Sequence, residues 1–117
     1  MGERAQVTIR DECFDMTGAE VVLYTHWGAY ALIDDLKAAL SRRERWDDKS
    51  YLARIIFCKM LHGDIDGTLG LGIQAGQNGD CWREVWIEGE RIRITDYDKE
   101  IFNGTFEEFL NWPLPKE

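Results

Sequence analysis

The segment LYTHWGAY, residues 23 to 30, holds the side chains best suited to ligand chemistry in this sequence. Three of these side chains, His26, Trp27 and Tyr30, lie where a strand pattern ends and a helical pattern begins. Aromatic rings provide flat stacking surfaces, and histidine adds a directional hydrogen bond. The first backbone amides of the following helix form a seat for an anion. These three side chains are therefore predicted to form the stacking wall of a nucleotide-like ligand site.

A structural role for the same segment stays open at this stage. In that alternative, Leu23 and Trp27 enter the core while Tyr24 and His26 cover its edge. Aromatic side chains supply much of the core in a small domain, so the residue types alone do not separate the two interpretations.

Arginine side chains are the natural partners for the phosphates of such a ligand. Arg54 interrupts the apolar run of a predicted helix, which makes it a candidate to reach into a pocket. Arg42, Arg43 and Arg45 follow the preceding predicted helix, where the helix dipole also favours positive charge. We expect Arg54 and one of the other three arginines to contact phosphate.

The sequence contains few candidate catalytic residues. The two histidines are His26 and His62, and G-x-S-x-G, HExxH and CxxC patterns are absent. Two pairs of carboxylates, Asp64 with Asp66 and Asp96 with Asp98, have a spacing that suits a divalent ion in phosphodiester cleavage. The sequence favours a non-enzymatic protein without cofactor or metal, and a metal-dependent phosphodiesterase is an alternative.

Composition excludes several classes of partner. A net charge of -8 and a pI near 4.7 argue against binding to nucleic acid polymers. No run of about 18 apolar residues indicates a membrane span. Residues 1 to 20 contain no apolar stretch typical of a signal peptide, so we expect a cytoplasmic protein. Cys13, Cys58 and Cys81 lack CxxC spacing and are expected to be free thiols.

Alternation and helical periodicity divide the chain into eight elements of one domain, residues 1–117. The order is strand-strand-helix-helix-strand-strand-strand-helix, which predicts an α+β fold with a mostly antiparallel sheet of about five strands and three helices. The predicted strands cover 5–11, 20–27, 69–75, 81–88 and 91–97, and the helices cover 31–40, 49–63 and 105–112.

Turn and capping residues indicate where these elements begin. Gly18 suits a tight turn in the first hairpin, and the segment 77–79 (QNG) suits another turn. Asp34 and Asp35 are expected in the first turn of the first helix, where the dipole favours them. Asp47 or Asp48 is expected to cap the second helix. Thr105 begins a T-x-x-E capping box at the start of the third helix.

The segment LYTHWGAYAL resembles the Leu-Tyr-x-His-x-x-Gly-Tyr element of small uncharacterised proteins met in phages and archaea. The resemblance covers residues 20–40, where a strand carrying the element precedes helices. Here Ala29 separates Gly28 from Tyr30, and the proline that often follows the tyrosine is missing. Small acidic phage proteins often blunt host defence, so the resemblance implies a viral protein that occupies a defence protein or sequesters its nucleotide signal.

Two hypotheses about binding follow from these observations. The first is a protein of the cytoplasm, or of the host cytoplasm if viral, that captures a nucleotide-like ligand. The second is an inhibitor that binds a host protein through an acidic surface. Negative charge is spread along the sequence, so no single acidic face is evident from it.

Two tryptophans predict self-association. Trp82 and Trp86 are four residues apart on one predicted strand and share a face, opposite Val85 and Ile87. If helices cover the valine and isoleucine, the tryptophans lie on an uncovered face. Exposed aromatic pairs mark interfaces, so we expect a homodimer or larger closed oligomer through this face.

Overall fold

The computed structural model of the chain describes residues 3–10, 20–63, 70–76 and 79–113. These ranges contain six strands and three helices. In chain order they are β1 (Ala5–Arg10), β2 (Glu20–Thr25), α1 (Ala29–Leu40), α2 (Lys49–Leu61), β3 (Leu71–Gln74), β4 (Arg83–Glu88), β5 (Arg91–Asp96), β6 (Lys99–Thr105) and α3 (Phe106–Leu110).

One sheet joins all six strands in the order β3-β2-β1-β4-β5-β6. β1 pairs with β4 in parallel, and the remaining neighbours pair antiparallel. The α+β class is confirmed, and the sheet is mixed rather than mostly antiparallel. β6 is a sixth strand that the sequence did not predict, because its sequence KEIFNGT lacks alternation.

The three helices lie on one face of the sheet and enclose the core. Inward positions of the strands are apolar, as Val7 and Ile9 show in β1 and Val85 and Ile87 in β4. The helices contribute the other half of the core: Leu32, Ile33, Leu36, Leu40, Leu52, Ile55, Ile56, Phe106 and Phe109. No helix in the described ranges is both long enough and apolar enough to cross a bilayer.

Capping side chains mark where α2 and α3 begin. Asp48 accepts a hydrogen bond from the Tyr51 amide, and Thr105 forms the predicted capping box with Glu108. α1 begins at Ala29, two residues before the predicted start, so placing Asp34 and Asp35 in its first turn was wrong. Gly18 and residues 77 and 78 of the predicted turns lie outside the described residues.

A buried arginine joins α1 to one end of the sheet. Arg83 is 4% exposed, and its guanidinium donates to both carboxylate oxygens of Asp96 at 2.8 and 2.9 Å. It also donates to the Ala29 carbonyl at 2.8 Å, at the first residue of α1. A buried cation is tolerated only when its donors are satisfied, so these bonds hold β4, β5 and α1 in fixed relation.

Replacing this arginine should destabilise the fold strongly. Arg83→Ala removes the partner of Asp96 and leaves a buried void, and the expected loss is about 3 kcal/mol in the free energy of unfolding. Arg91→Ala, an exposed position on the neighbouring strand, is the matched control and should cost less than about 0.5 kcal/mol. Urea unfolding monitored by circular dichroism measures both. Equal losses in the two variants would contradict this role.

Candidate functional site

The predicted stacking wall is divided between two pockets. Trp27 and Tyr30 are 54% and 57% exposed and point to different sides of the start of α1. Trp27 packs edge-on against the His26 ring at 4.3 Å and lines a pocket of about 250 Å³ on the helix side. Tyr30 lies 5.3 Å from the Trp82 ring and lines a separate cleft. These three side chains therefore do not line one common pocket.

His26 connects neighbouring segments. Its backbone amide donates to the Gly70 carbonyl at 3.1 Å, and its Nδ1 lies 3.3 Å from both Arg4 Nε and the Tyr24 hydroxyl. Gly70 has φ +73°, and a Cβ there would lie 2.7 Å from the His26 Cβ. The close approach explains the glycine and fixes His26 at the sheet edge.

The predicted phosphate-binding arginines lie elsewhere. Arg42 and Arg43 follow the last residue of α1, a helix of 12 residues and therefore about 18 Å long. They are at the opposite end of that helix from Tyr30, and they pair with Glu44 and Glu107. Arg54 lies exposed on α2 with its guanidinium 4.7 Å from the Tyr51 ring. The aromatic segment and these arginines do not form one site.

A different aromatic cluster lies at the end of the sheet where Arg83 is buried. The Trp82 ring stacks on Tyr97 with centroids 5.2 Å apart and planes at 14°, and Tyr30 approaches it at 53°. These rings line an open cleft of about 470 Å³. Tyr97 is 74% exposed, so much of its ring surface is accessible to a ligand. We call this site the end cleft; it is lined by Glu3, Arg4, Tyr30, Gly79, Asp80, Cys81, Trp82, Glu84, Tyr97 and Asp98.

The turn that carries Tyr97 has a strained backbone. Tyr97 and Asp98 join β5 to β6 with φ of 51° and 67°, values at which glycine or asparagine is preferred. The Tyr97 amide donates to the Trp82 carbonyl at 2.7 Å, which fixes the turn against β4. A bulky residue in this conformation costs about 1–3 kcal/mol and is typical of functional sites.

Carboxylates surround the rings. Glu3 lies before β1, Asp80 and Glu84 lie just before and at the start of β4, and Asp98 lies in the turn after β5, so three segments create an acidic face that the sequence did not reveal. Arg4 is the lining cation, and its guanidinium lies 3.1 Å from Asp80. Four carboxylates against one guanidinium leave the cleft electronegative.

Burial and neighbouring charge raise the pKa of two groups in the end cleft. Desolvation by burial, then the charge of Asp98, raises the pKa of Glu84, while a hydrogen bond from Gln6 at 3.3 Å opposes the shift. Burial, with the charges of Glu84 and Asp80, raises the pKa of Cys81 to about 11. Cys81 is therefore a protonated thiol at neutral pH and a poor nucleophile.

The end cleft has the chemistry of a cation site. The faces of aromatic rings are electronegative and attract ammonium and guanidinium groups, and carboxylates pair with the same groups. Asp96, one member of the predicted pair with Asp98, accepts hydrogen bonds from Arg83 at both carboxylate oxygens. Within the described ranges no three His, Cys, Asp or Glu side chains are grouped to hold a metal ion. Asp64 and Asp66 lie outside those ranges, as does Cys13.

The two tryptophans of the predicted interface have different surroundings. Trp86 lies on the helix-free face of β4, opposite to Val85 as expected, with the Arg93 guanidinium 4.7 Å from its ring. Trp82 lies in the end cleft between Tyr30 and Tyr97. Self-association through both rings stays a prediction.

Sequence reasoning did not select Tyr97 or Glu84. One signal was present: the last predicted strand runs into the segment D-Y-D-K, whose aspartates favour a turn, and an aromatic residue in a turn is unusual. Comparisons with protein families, with curated proteins and with solved structures found no match to this chain. The end cleft is therefore interpreted from its own geometry.

The raised pKa of Glu84 predicts a pH-dependent effect on stability. Between the ordinary value of 4.5 and the raised folded value, the folded protein keeps a proton that the unfolded chain has lost. Stability is therefore lost as pH rises through this window. Glu84→Gln cannot ionise and keeps a hydrogen-bonding partner for Gln6, so the variant should become progressively more stable than the wild type as pH rises above 4.5.

Thermal unfolding across this pH range measures the difference between the two proteins. Glu90→Gln, an exposed position in the turn between β4 and β5, is the control for loss of one negative charge. A stability difference for Glu84→Gln that stays constant with pH would show that this carboxylate has no special environment.

Proposed function

We propose that this chain is a non-enzymatic binding protein whose end cleft takes a cationic group, an ammonium, methylated ammonium or guanidinium. The observation that carries the proposal is the cluster of three contacting rings, with Trp82 stacked on Tyr97 and Tyr30 tilted against it, beside carboxylates contributed by three segments. A cation entering the cleft gains ring contacts and relieves the repulsion between Glu84 and Asp98.

The expected affinity for a small cation is modest. Two ring contacts at about 1 kcal/mol each, and two charge-assisted contacts at about 2 kcal/mol each, sum to about 6 kcal/mol before the loss of free motion. That loss is about 4 kcal/mol or more, which leaves about 2 kcal/mol and a dissociation constant on the order of tens of millimolar. A cationic side chain of a protein partner offers the same group. The end cleft therefore also supports the alternative of an inhibitor acting through an acidic surface.

Titration with simple cations tests the proposal. Tetramethylammonium and guanidinium should shift the backbone amide NMR signals of Trp82 and Tyr97 and the indole signal of Trp82, with dissociation constants on the order of tens of millimolar. Tyr97→Ala should weaken binding about 5-fold because one ring contact is lost, and Glu84→Gln should weaken it further. Glu90→Gln, with the same charge change outside the cleft, should bind normally. Absence of localised shifts with either cation would reject the proposal.

A nucleotide-like ligand is the second candidate, at a site other than residues 23–30. The helix-free face of the sheet has a pocket of about 370 Å³ that contains Trp86 and three arginines, Arg10, Arg91 and Arg93. Arg10 pairs with Glu20 and Glu88, and Arg93 pairs with Glu100. Arg91 donates to Asn103 at 3.2 Å, so it is the arginine best placed to meet a phosphate.

Calorimetry distinguishes the second candidate from the first. If this pocket holds a nucleotide, as a protein that sequesters a nucleotide signal would, mono-, di- or cyclic nucleotides should give a binding isotherm. Arg91→Ala should weaken it about 10-fold, because a charge-assisted contact is lost. Arg54→Ala, an exposed arginine on α2, should leave it unchanged. Flat traces with all nucleotides would remove this candidate.

A further inference from the structure

We infer that the cationic group belongs to a polypeptide segment, and that an apolar side chain of the same segment fills the pocket beside Trp27. The inference rests on the proposed function of the end cleft and names the class of its partner. It follows from the position of the two pockets on either side of the start of α1.

The pocket beside Trp27 suits an apolar side chain. Ala31, Leu32, Met60 and Leu71 contribute apolar walls, and Trp27 forms the rim. An apolar cavity of about 150 Å³ accommodates benzene. A volume of about 250 Å³ is therefore ample for a leucine, methionine or phenylalanine side chain.

The charged side chain in this pocket already has a partner. The carboxylate of Asp35 is 10% exposed and lies 3.1 Å from His62 Nε2. Because the histidine pairs with this carboxylate, the pocket lacks the excess of carboxylates over cations that lines the end cleft. The two pockets therefore prefer different side chains, one apolar and one cationic.

An aromatic ridge separates the two pockets. Trp27 and Tyr30 are three positions apart and more than half exposed, and each belongs to one pocket. Exposed tryptophan and tyrosine beside concave pockets are typical of the residues that dominate protein interfaces. A segment crossing this ridge covers both rings, which a small free cation in the end cleft would leave exposed.

Charge complementarity selects a basic segment. The chain carries a net charge of -8, and the end cleft gathers carboxylates of Glu3, Asp80, Glu84 and Asp98. A segment with an arginine or lysine is attracted to that end, and its apolar residue reaches the neighbouring pocket. In an extended segment, spacings of two to five positions cover about 7–17 Å, since the chain rises about 3.3 Å per residue.

Synthetic peptides test the inference directly. The probes are alanine-rich fluorescent peptides that carry one arginine and one leucine at spacings of two to five, and matched peptides in which the leucine is alanine. Fluorescence anisotropy should show at least one spacing that binds about 10-fold tighter with leucine, because a buried leucine side chain contributes about 1.5 kcal/mol or more.

Protein variants assign each contact to its pocket. Ala31→Phe should fill the pocket beside Trp27, abolish the advantage of leucine and leave the alanine peptides unchanged. Ala38→Phe, at an exposed position of the same helix, is the control and should behave as the wild type. Glu84→Gln should weaken both peptide series.

The outcomes separate this inference from the proposed function. Equal binding of leucine and alanine peptides at every spacing would overturn the inference and leave the cation cleft standing. Binding of tetramethylammonium but of no peptide would overturn it as well. Absence of binding by peptides and tetramethylammonium alike would reject the proposed function itself. The peptide comparison uses unmodified protein, so its result does not depend on the folding of any variant.

Discussion

The buried guanidinium of Arg83 is the constraint on which the described arrangement depends. It joins Asp96 at the end of β5 to the Ala29 carbonyl at the start of α1, and its guanidinium lies 4.9 Å from the Trp82 ring. Backbone bonds from Ala29 to Glu3 and from Trp82 to Arg4 strengthen the same junction. The segments that line the end cleft are thus held by one polar network beneath it, which preorganises the rings for a ligand.

Local patterns predicted most of the elements because their causes are local. Alternation in β1 and β5, helical spacing in α1 and the caps at Asp48 and Thr105 all depend on neighbours in sequence. β6 escaped prediction because it is an edge strand in which Gly104 is buried and Asn103 is exposed, so it lacks the usual alternation of apolar residues. α1 begins two residues before the predicted start because the Ala29 amide donates a hydrogen bond to the Glu3 carbonyl, a contact between distant parts of the sequence.

The candidate site was much less predictable, because distant segments form it. Tyr30 was selected from the sequence, but its partners Trp82 and Tyr97 are brought to it by sheet register and by the position of α1. The acidic face likewise depends on placing Glu3, Glu84 and Asp98 at one end of the sheet. The same dependence on tertiary placement separates the residues of the predicted site. The length of a helix separates Arg42 from Tyr30, although both flank one predicted element.

The parallel pairing of β1 with β4 has a consequence for the order in which the chain folds. β4, β5 and β6 form a meander of sequence neighbours, whereas Ala5 meets Arg83 only after most of the chain has been enclosed in a loop. Closing so long a loop carries an entropic cost that the local hairpins avoid, so the hairpins can form early and the parallel pairing late. The end cleft spans this last junction, with Glu3 on one side and Trp82 on the other. The cleft proposed to hold a cation is therefore complete only in the native topology, and a partly folded chain would have the hairpins without this cleft.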